Sequence, residues 1–248
     1  MNYIEYVRDP SRLLLIWQRP EEDGVPRVRR AVAELVREGG APVRFRYLAD
    51  TPDFVAAQAE GFVNFPAFRK LHVTYDIGVL DVFMRRLPPR SRGDYGKYLE
   101  QFRLRPETPI SDFALLAYTG ATLPSDGFGI LDSLDGPAGV FDVLLTVAGV
   151  RHVAPNVATE LRVGAAATFV PEEGNVHDAD AVAVHVSGTH VGYVPRPQAR
   201  GLRHLLRTAE IDAQVVRVNG TPERPLLRLL VCCDCDAARR VATARTNQ

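Results

Sequence analysis

The sharpest alternation of apolar and polar positions begins where a polar loop, Glu172-Glu173-Gly174-Asn175-Val176-His177-Asp178-Ala179-Asp180, runs into Ala181-Val182-Ala183-Val184. Val182, Val184 and Val186 point one way, and Ala181, Ala183 and His185 the other, which is the period of two of a strand. Ser187-Gly188-Thr189 then turns the chain into His190-Val191-Gly192-Tyr193-Val194, so a hairpin with a three-residue connection is expected. A rigid hairpin behind a polar loop is a good platform for a binding site.

The same reading extends along both halves. Residues 141–147, 165–171, 181–187, 190–194, 211–219 and 225–232 read as six short strands, with one helix inserted after Pro195. That helix has an apolar face of Ala199, Leu202, Leu205, Leu206 and Ala209. Arg196, Arg200, Arg203 and Arg207 recur at spacings of four, three and four and form one basic stripe. For Arg203 and Arg207 a solvated helix face is the plain alternative. Six short strands around one helix suit a small, partly open barrel.

In the first half, residues 13–17 read as a buried strand and 43–48 as a half-buried one. Residues 28–38 fit either a short helix or a second strand, stopped by Gly39-Gly40. Helices are expected over 54–60, 78–86, 94–102 and 111–118, with Ser111 as an N-cap. The aromatic segment 61–68 must pack inward, and 127–131 reads as a short strand. The fold class is therefore α+β. A small sheet with helices spans 1–136, an OB-like six-stranded β-barrel spans 137–236, and a disordered tail spans 237–248.

Composition narrows the classes of function. With 30 basic and 30 acidic residues the net charge is zero, and 46% hydrophobic residues leave ample material for cores. Residues 141–248 hold 12 Arg and no Lys against 11 acidic residues. A duplex binder that relies on many phosphate contacts carries more positive charge than this. Whatever this half binds, it binds through a local patch. No apolar run is long enough for a membrane span, and the first residues lack a signal-peptide pattern, so a cytoplasmic protein is expected. Cys232, Cys233 and Cys235 lie too close together for a disulfide framework and lack a fourth ligand nearby. They read as the end of an apolar strand, and neither metal nor cofactor is expected.

Three blocks then stand out in order: Val147-Ala148-Gly149-Val150-Arg151-His152; Pro171-Glu172 with Asn175-Val176-His177-Asp178; and Val191-Gly192-Tyr193-Val194-Pro195-Arg196. Over roughly residues 140–232 they resemble the HIRAN domain, a module of bacterial and phage proteins and of eukaryotic SWI/SNF-type DNA translocases. The resemblance implies an OB-like barrel and, from the translocase members, recognition of a single-stranded DNA 3′ end. By motif position, Asp178 would accept a hydrogen bond from the terminal hydroxyl and Asn175 would orient the backbone. Arg151 and Arg196 would contact phosphates, with Arg200 behind them on the stripe. His152 and Tyr193 would line the pocket, and His177 would stack on a base. The chain departs from the family at Val176-His177, where Pro-Tyr is common, at Asp180 in place of Asn, and at His152 in place of Tyr. A carboxylate beside DNA also makes physical sense chiefly at a strand end, since in mid-strand it faces phosphates that repel it. Read from the residues alone, Asn175 and Asp178 also fit a turn whose side chains cap their own backbone, and His177 a surface loop residue.

Leu87-Pro88-Pro89, Asp112-Phe113-Ala114-Leu115-Leu116 and the glycines of 120–129 more weakly resemble the N-terminal subdomain of HipA-type toxin kinases. A kinase core is missing: no glycine-rich phosphate loop precedes a lysine strand, and only Lys70 and Lys97 occur. Three functions compete. The first is a non-catalytic accessory that binds single-stranded DNA ends in bacterial or phage repair, mobile-element or defence systems. The second is an adaptor, related to toxin–antitoxin systems, that docks a protein partner on its N-terminal half. The third is a Mg²⁺ nuclease built on Glu173, Asp178 and Asp180. The first is favoured.

Overall fold

The computed structural model describes residues 2–20, 28–123, 125–136, 139–150, 161–221 and 224–237. The chain divides into two compact units, Asp9–Gly136 and a second made of Met1–Arg8 with Pro137–Gln248. The first eight residues thus pack with the second half.

The unit Asp9–Gly136 is built on an antiparallel sheet of β1 (Arg12–Trp17), β2 (Arg30–Val36), β3 (Arg44–Tyr47) and β4 (Phe128–Asp132), in the order β3-β2-β1-β4. β2 settles the ambiguity of 28–38 in favour of a strand. Ala31, Val32, Ala33, Glu34 and Leu35 are all buried, so β2 is covered on both faces and its pattern lacks the simple alternation of a half-exposed strand. Four helices follow the sequence expectation with small shifts: α1 (Pro52–Ala59), α2 (Val79–Met84), α3 (Tyr95–Glu100) and α4 (Asp112–Thr119). Ser111 caps α4 by accepting from Ala114 N at 3.0 Å, and Thr51 caps α1 in the same way from Phe54 N.

The aromatic segment packs inward as expected. Phe45 stacks on Phe68 at 4.5 Å and Phe65 on Phe83 at 5.1 Å. Among these rings the Tyr47 hydroxyl donates to Phe68 O and accepts from Phe65 N. Burial pushes its phenol up to about 12. Glu34, 2% exposed, is a buried carboxylate of this sheet that takes two arginines, Arg12 and Arg46.

In the other unit the six expected strands are present as β5 (Val140–Thr146), β6 (Ala167–Pro171), β7 (Val182–Val186), β8 (Thr189–Tyr193), β9 (Glu210–Thr221) and β10 (Arg224–Asp234). They do not form one continuous barrel. They make two open three-stranded sheets, β5-β10-β9 and β6-β7-β8. The sheets touch through the isolated bridges Ala148↔Tyr193 and Ala166↔Gln214, because the regular ladders end before the seams. Helix α5 (Arg196–Thr208) is the inserted helix, with Ala199, Leu202 and Leu205 buried and Leu206 half-buried.

The β7–β8 connection is shorter than its sequence suggests. Val186 pairs with Thr189, leaving Ser187 (φ +50°) and Gly188 (φ +85°) as a two-residue turn. Two positive φ values in succession give the twist that matches flanking strands. The alternation on β7 is also blunted: Val182, Ala183, Val184 and Val186 are all buried.

The N-terminal segment is held to β5 through Asp142. Its carboxylate, in a residue 5% exposed, accepts from Glu5 N at 2.7 Å and Tyr6 N at 3.0 Å. Val7 bridges Asp142 in parallel, and the Arg8 guanidinium lies 4.7 Å from the Phe141 ring centre. Cys232 and Cys233 lie within β10, where burial pushes their thiols up to about 11 and about 12. Of the expected tail, Ala237 is buried and residues 238–248 lie outside the described residues. Among the described residues no helix is long and apolar enough to cross a membrane.

Candidate nucleic-acid interface

The loop between β6 and β7 carries most of the expected site. It is wound by its own side chains. Asn175 Oδ1 accepts from His177 N at 2.9 Å and Asp178 N at 3.1 Å, and Asp178 Oδ1 accepts from Asp180 N at 3.0 Å. The self-capping turn read from the sequence is therefore present, and it coexists with an outward-facing surface. Gly174, at φ +77°, starts the reversal. Val176, 90% exposed, and the exposed His177 form the tip. Asn175 does more than cap: its Nδ2 donates to Glu172 Oε2 at 2.7 Å.

Glu172 is the hub that sequence reasoning passed over. Besides Asn175 it receives the Tyr193 hydroxyl, 3.2 Å from Oε1. Burial, with the Glu172 carboxylate adding to it, holds the Tyr193 phenol above its ordinary value. The Tyr193 ring also packs edge-on to His190 at 5.0 Å. Tyr193 is thus engaged on the loop side as a support.

Gly192 sets the other wall. Its φ of +141° and a virtual Cβ only 2.4 Å from Ala148 O show that no side chain fits there. That close approach lets Tyr193 and Ala148 exchange hydrogen bonds of 2.7 and 2.8 Å. Val147–Val150 is thereby laid beside Tyr193, just before Arg151. Arg151 and His152 themselves lie outside the described residues.

Arg196 opens α5 at the end of β8, as expected, and is exposed. Its Nε stands 3.8 Å from Asp178 Oδ2, an ion-pair contact longer than a hydrogen bond. Asp178 Oδ1 is thus tethered by backbone, while Oδ2 faces a cation across a gap. Arg200, one turn on, is exposed and forms no ion pair among the described residues. Arg203 departs from the stripe. Its side chain is 13% exposed, with Nη2 donating to Glu173 Oε1 at 2.6 Å and Nη1 to Ala179 O at 3.3 Å. Neither Glu172 nor Arg203 could be found from local pattern, since their partners lie 21 and 30 residues away.

The three-carboxylate cluster does not assemble as a metal site. Glu173 is turned to Arg203, and among the described residues no group of three His, Cys, Asp or Glu side chains is placed to hold an ion. The chemistry on offer is a carboxylate acceptor beside exposed guanidinium groups, with an exposed imidazole at the loop tip.

Comparison with known proteins follows the same residues. The HIRAN domain family model matches residues 140–234. Those residues are a HIRAN domain. HIRAN domains are in general DNA-binding modules. The match does not reach residues 1–136, and it lends no support to the HipA-type resemblance of that half. Two solved structures are similar. The crystal structure of the HIRAN domain of human HLTF is 16% identical, covering 40% of this chain and 81% of its own, with a TM-score of 0.31. A protein from Lactobacillus plantarum is 25% identical, covering 38% of this chain and 97% of its own, with a TM-score of 0.32. No curated protein matches the chain.

Proposed function

We propose that the HIRAN domain of this chain binds single-stranded DNA at its 3′ end, and that the protein is a non-catalytic accessory. The observation that carries this reading is the setting of Asp178. One carboxylate oxygen is fixed by Asp180 N, and the other stands 3.8 Å from the exposed Arg196 at the head of α5. A fixed anion at a binding surface repels a continuing phosphate chain. It becomes favourable where the ligand offers a donor, and a terminal sugar hydroxyl is such a donor. Arg196 and Arg200 then meet the last phosphates, and Arg151 is the third cation of this scheme. His177 at the loop tip offers the stacking surface, and His152 a second. Asn175 holds the turn, and Tyr193 supports it through Glu172.

A fluorescence-anisotropy titration with oligothymidylates that end in a 3′-hydroxyl or a 3′-phosphate tests the reading. Tighter binding of the free end is expected, lost in Asp178→Ala. Equal affinity for the two ends, with Asp178→Ala unchanged, would refute it.

A further inference from the structure

Four arginines share one stripe of α5, yet only one of them is covered. Arg196, Arg200 and Arg207 are exposed, whereas the Arg203 side chain is 13% exposed because the loop lies over it. Its two bonds reach opposite arms of that loop. Nη2 takes Glu173 on the way out and Nη1 takes the Ala179 carbonyl on the way back. Gly174, Asn175, Val176, His177 and Asp178 are the residues enclosed between these anchors. Inside the loop the remaining bonds are local, from Asn175 Oδ1 to two amides and from Asp178 Oδ1 to Asp180 N. Local bonds fix the loop's shape but not its place. Its place is fixed by Glu172 to Tyr193 at the sheet and by Arg203 at the helix.

We propose that Arg203 is a positioning residue, whose guanidinium fork staples both arms of the β6–β7 loop to α5 and so holds Asp178 beside Arg196 without contacting DNA. The planar fork suits this task, since it offers diverging donors in a fixed geometry that a lysine lacks. The proposal rests on the end-recognition reading for its functional consequence. The staple itself is a property of the protein alone.

The test uses the full chain and the same two oligothymidylates across a salt series. In Arg203→Ala the preference for the free 3′ end should fall about tenfold or more, the loss of one charge-assisted hydrogen bond. The slope of log affinity against log salt should stay at the wild-type value. Arg200→Ala should do the reverse, lowering the slope by ~0.7 for one single-strand phosphate contact and leaving end preference intact. Glu173→Ala, at a side chain 85% exposed, removes one arm of the staple and should shift end preference in the same direction as Arg203→Ala, by less, with the salt slope unchanged. A slope change in Arg203→Ala with end preference kept would make Arg203 a phosphate contact and overturn the proposal. Amide exchange without DNA covers the remaining case. A loop without its anchor opens its local turns more often, so the His177, Asp178 and Asp180 amides should exchange faster in Arg203→Ala and not in Arg207→Ala. Unchanged exchange overturns the staple. If the wild-type protein binds neither oligonucleotide while exchange responds as expected, the end-recognition reading fails and the staple stands.

Discussion

Adding one methyl group at Gly192 should damage the interface more than its size suggests. A Cβ there meets Ala148 O at 2.4 Å, Val147 Cγ1 at 2.9 Å and Val150 N at 3.3 Å. The nearest obstacle is backbone, which cannot swing away as a side-chain tip can. A non-glycine residue held at φ +141° also carries backbone strain of ~1–3 kcal/mol. Relieving the clash means drawing the Val147–Val150 segment off β8, which breaks the paired bonds between Ala148 and Tyr193 at ~0.5–1.5 kcal/mol each. Together Gly192→Ala should cost ~2–6 kcal/mol, a large part of the ~5–15 kcal/mol that stabilises a domain. The only tryptophan, Trp17, lies in the other unit, so its fluorescence is the wrong probe. Urea denaturation followed by far-UV circular dichroism, with amide exchange at Ala148 and Tyr193, reads the loss directly. DNA affinity should fall with it, because the displaced segment leads into Arg151. A change under about 0.5 kcal/mol, with both amides still protected, would show that the close approach does not hold this seam together.

Two other outcomes follow from buried polar groups. Asp142→Ala leaves the Glu5 and Tyr6 amides without their acceptor and should destabilise the C-terminal unit by ~2–4 kcal/mol, read as faster exchange at those amides; unchanged protection would refute the tether. Tyr47 keeps its proton up to about 12 in the folded protein, while an unfolded tyrosine ionises near 10.0. Its contribution is therefore flat below pH 10 and should be lost as pH rises from 10 toward 12, seen as a falling urea midpoint by Trp17 fluorescence; a flat midpoint over that range would contradict it.

Strand and helix positions were largely legible from capping residues and short apolar runs, as at Ser111 ahead of α4 and along Val182–Val186. Legibility failed where one residue serves both faces or a distant partner decides. β2 was ambiguous with a helix because the strand is covered on both faces, with even Glu34 buried. The hairpin loop was read one residue too long because Thr189 looks like a turn residue yet pairs with Val186. The two open sheets were hidden for a similar reason, since nothing local marks where a ladder stops. At the site, Asn175, Asp178, Tyr193 and Arg196 were found in one neighbourhood from motif order. Glu172 lies in the second motif block and Arg203 on the basic stripe, but their roles come from Tyr193 and Glu173, 21 and 30 residues away, which only folding brings near.

The tie between Met1–Arg8 and β5 makes the C-terminal unit discontinuous, with the whole of Asp9–Gly136 threaded between its two pieces. During synthesis Glu5 and Arg8 wait for Asp142 and Phe141 while the intervening unit is made, a delay on the order of 10 s at ribosomal speed. The C-terminal unit consequently cannot close until the whole of Asp9–Gly136 has been made. Cutting the chain at residue 137 would not release it whole.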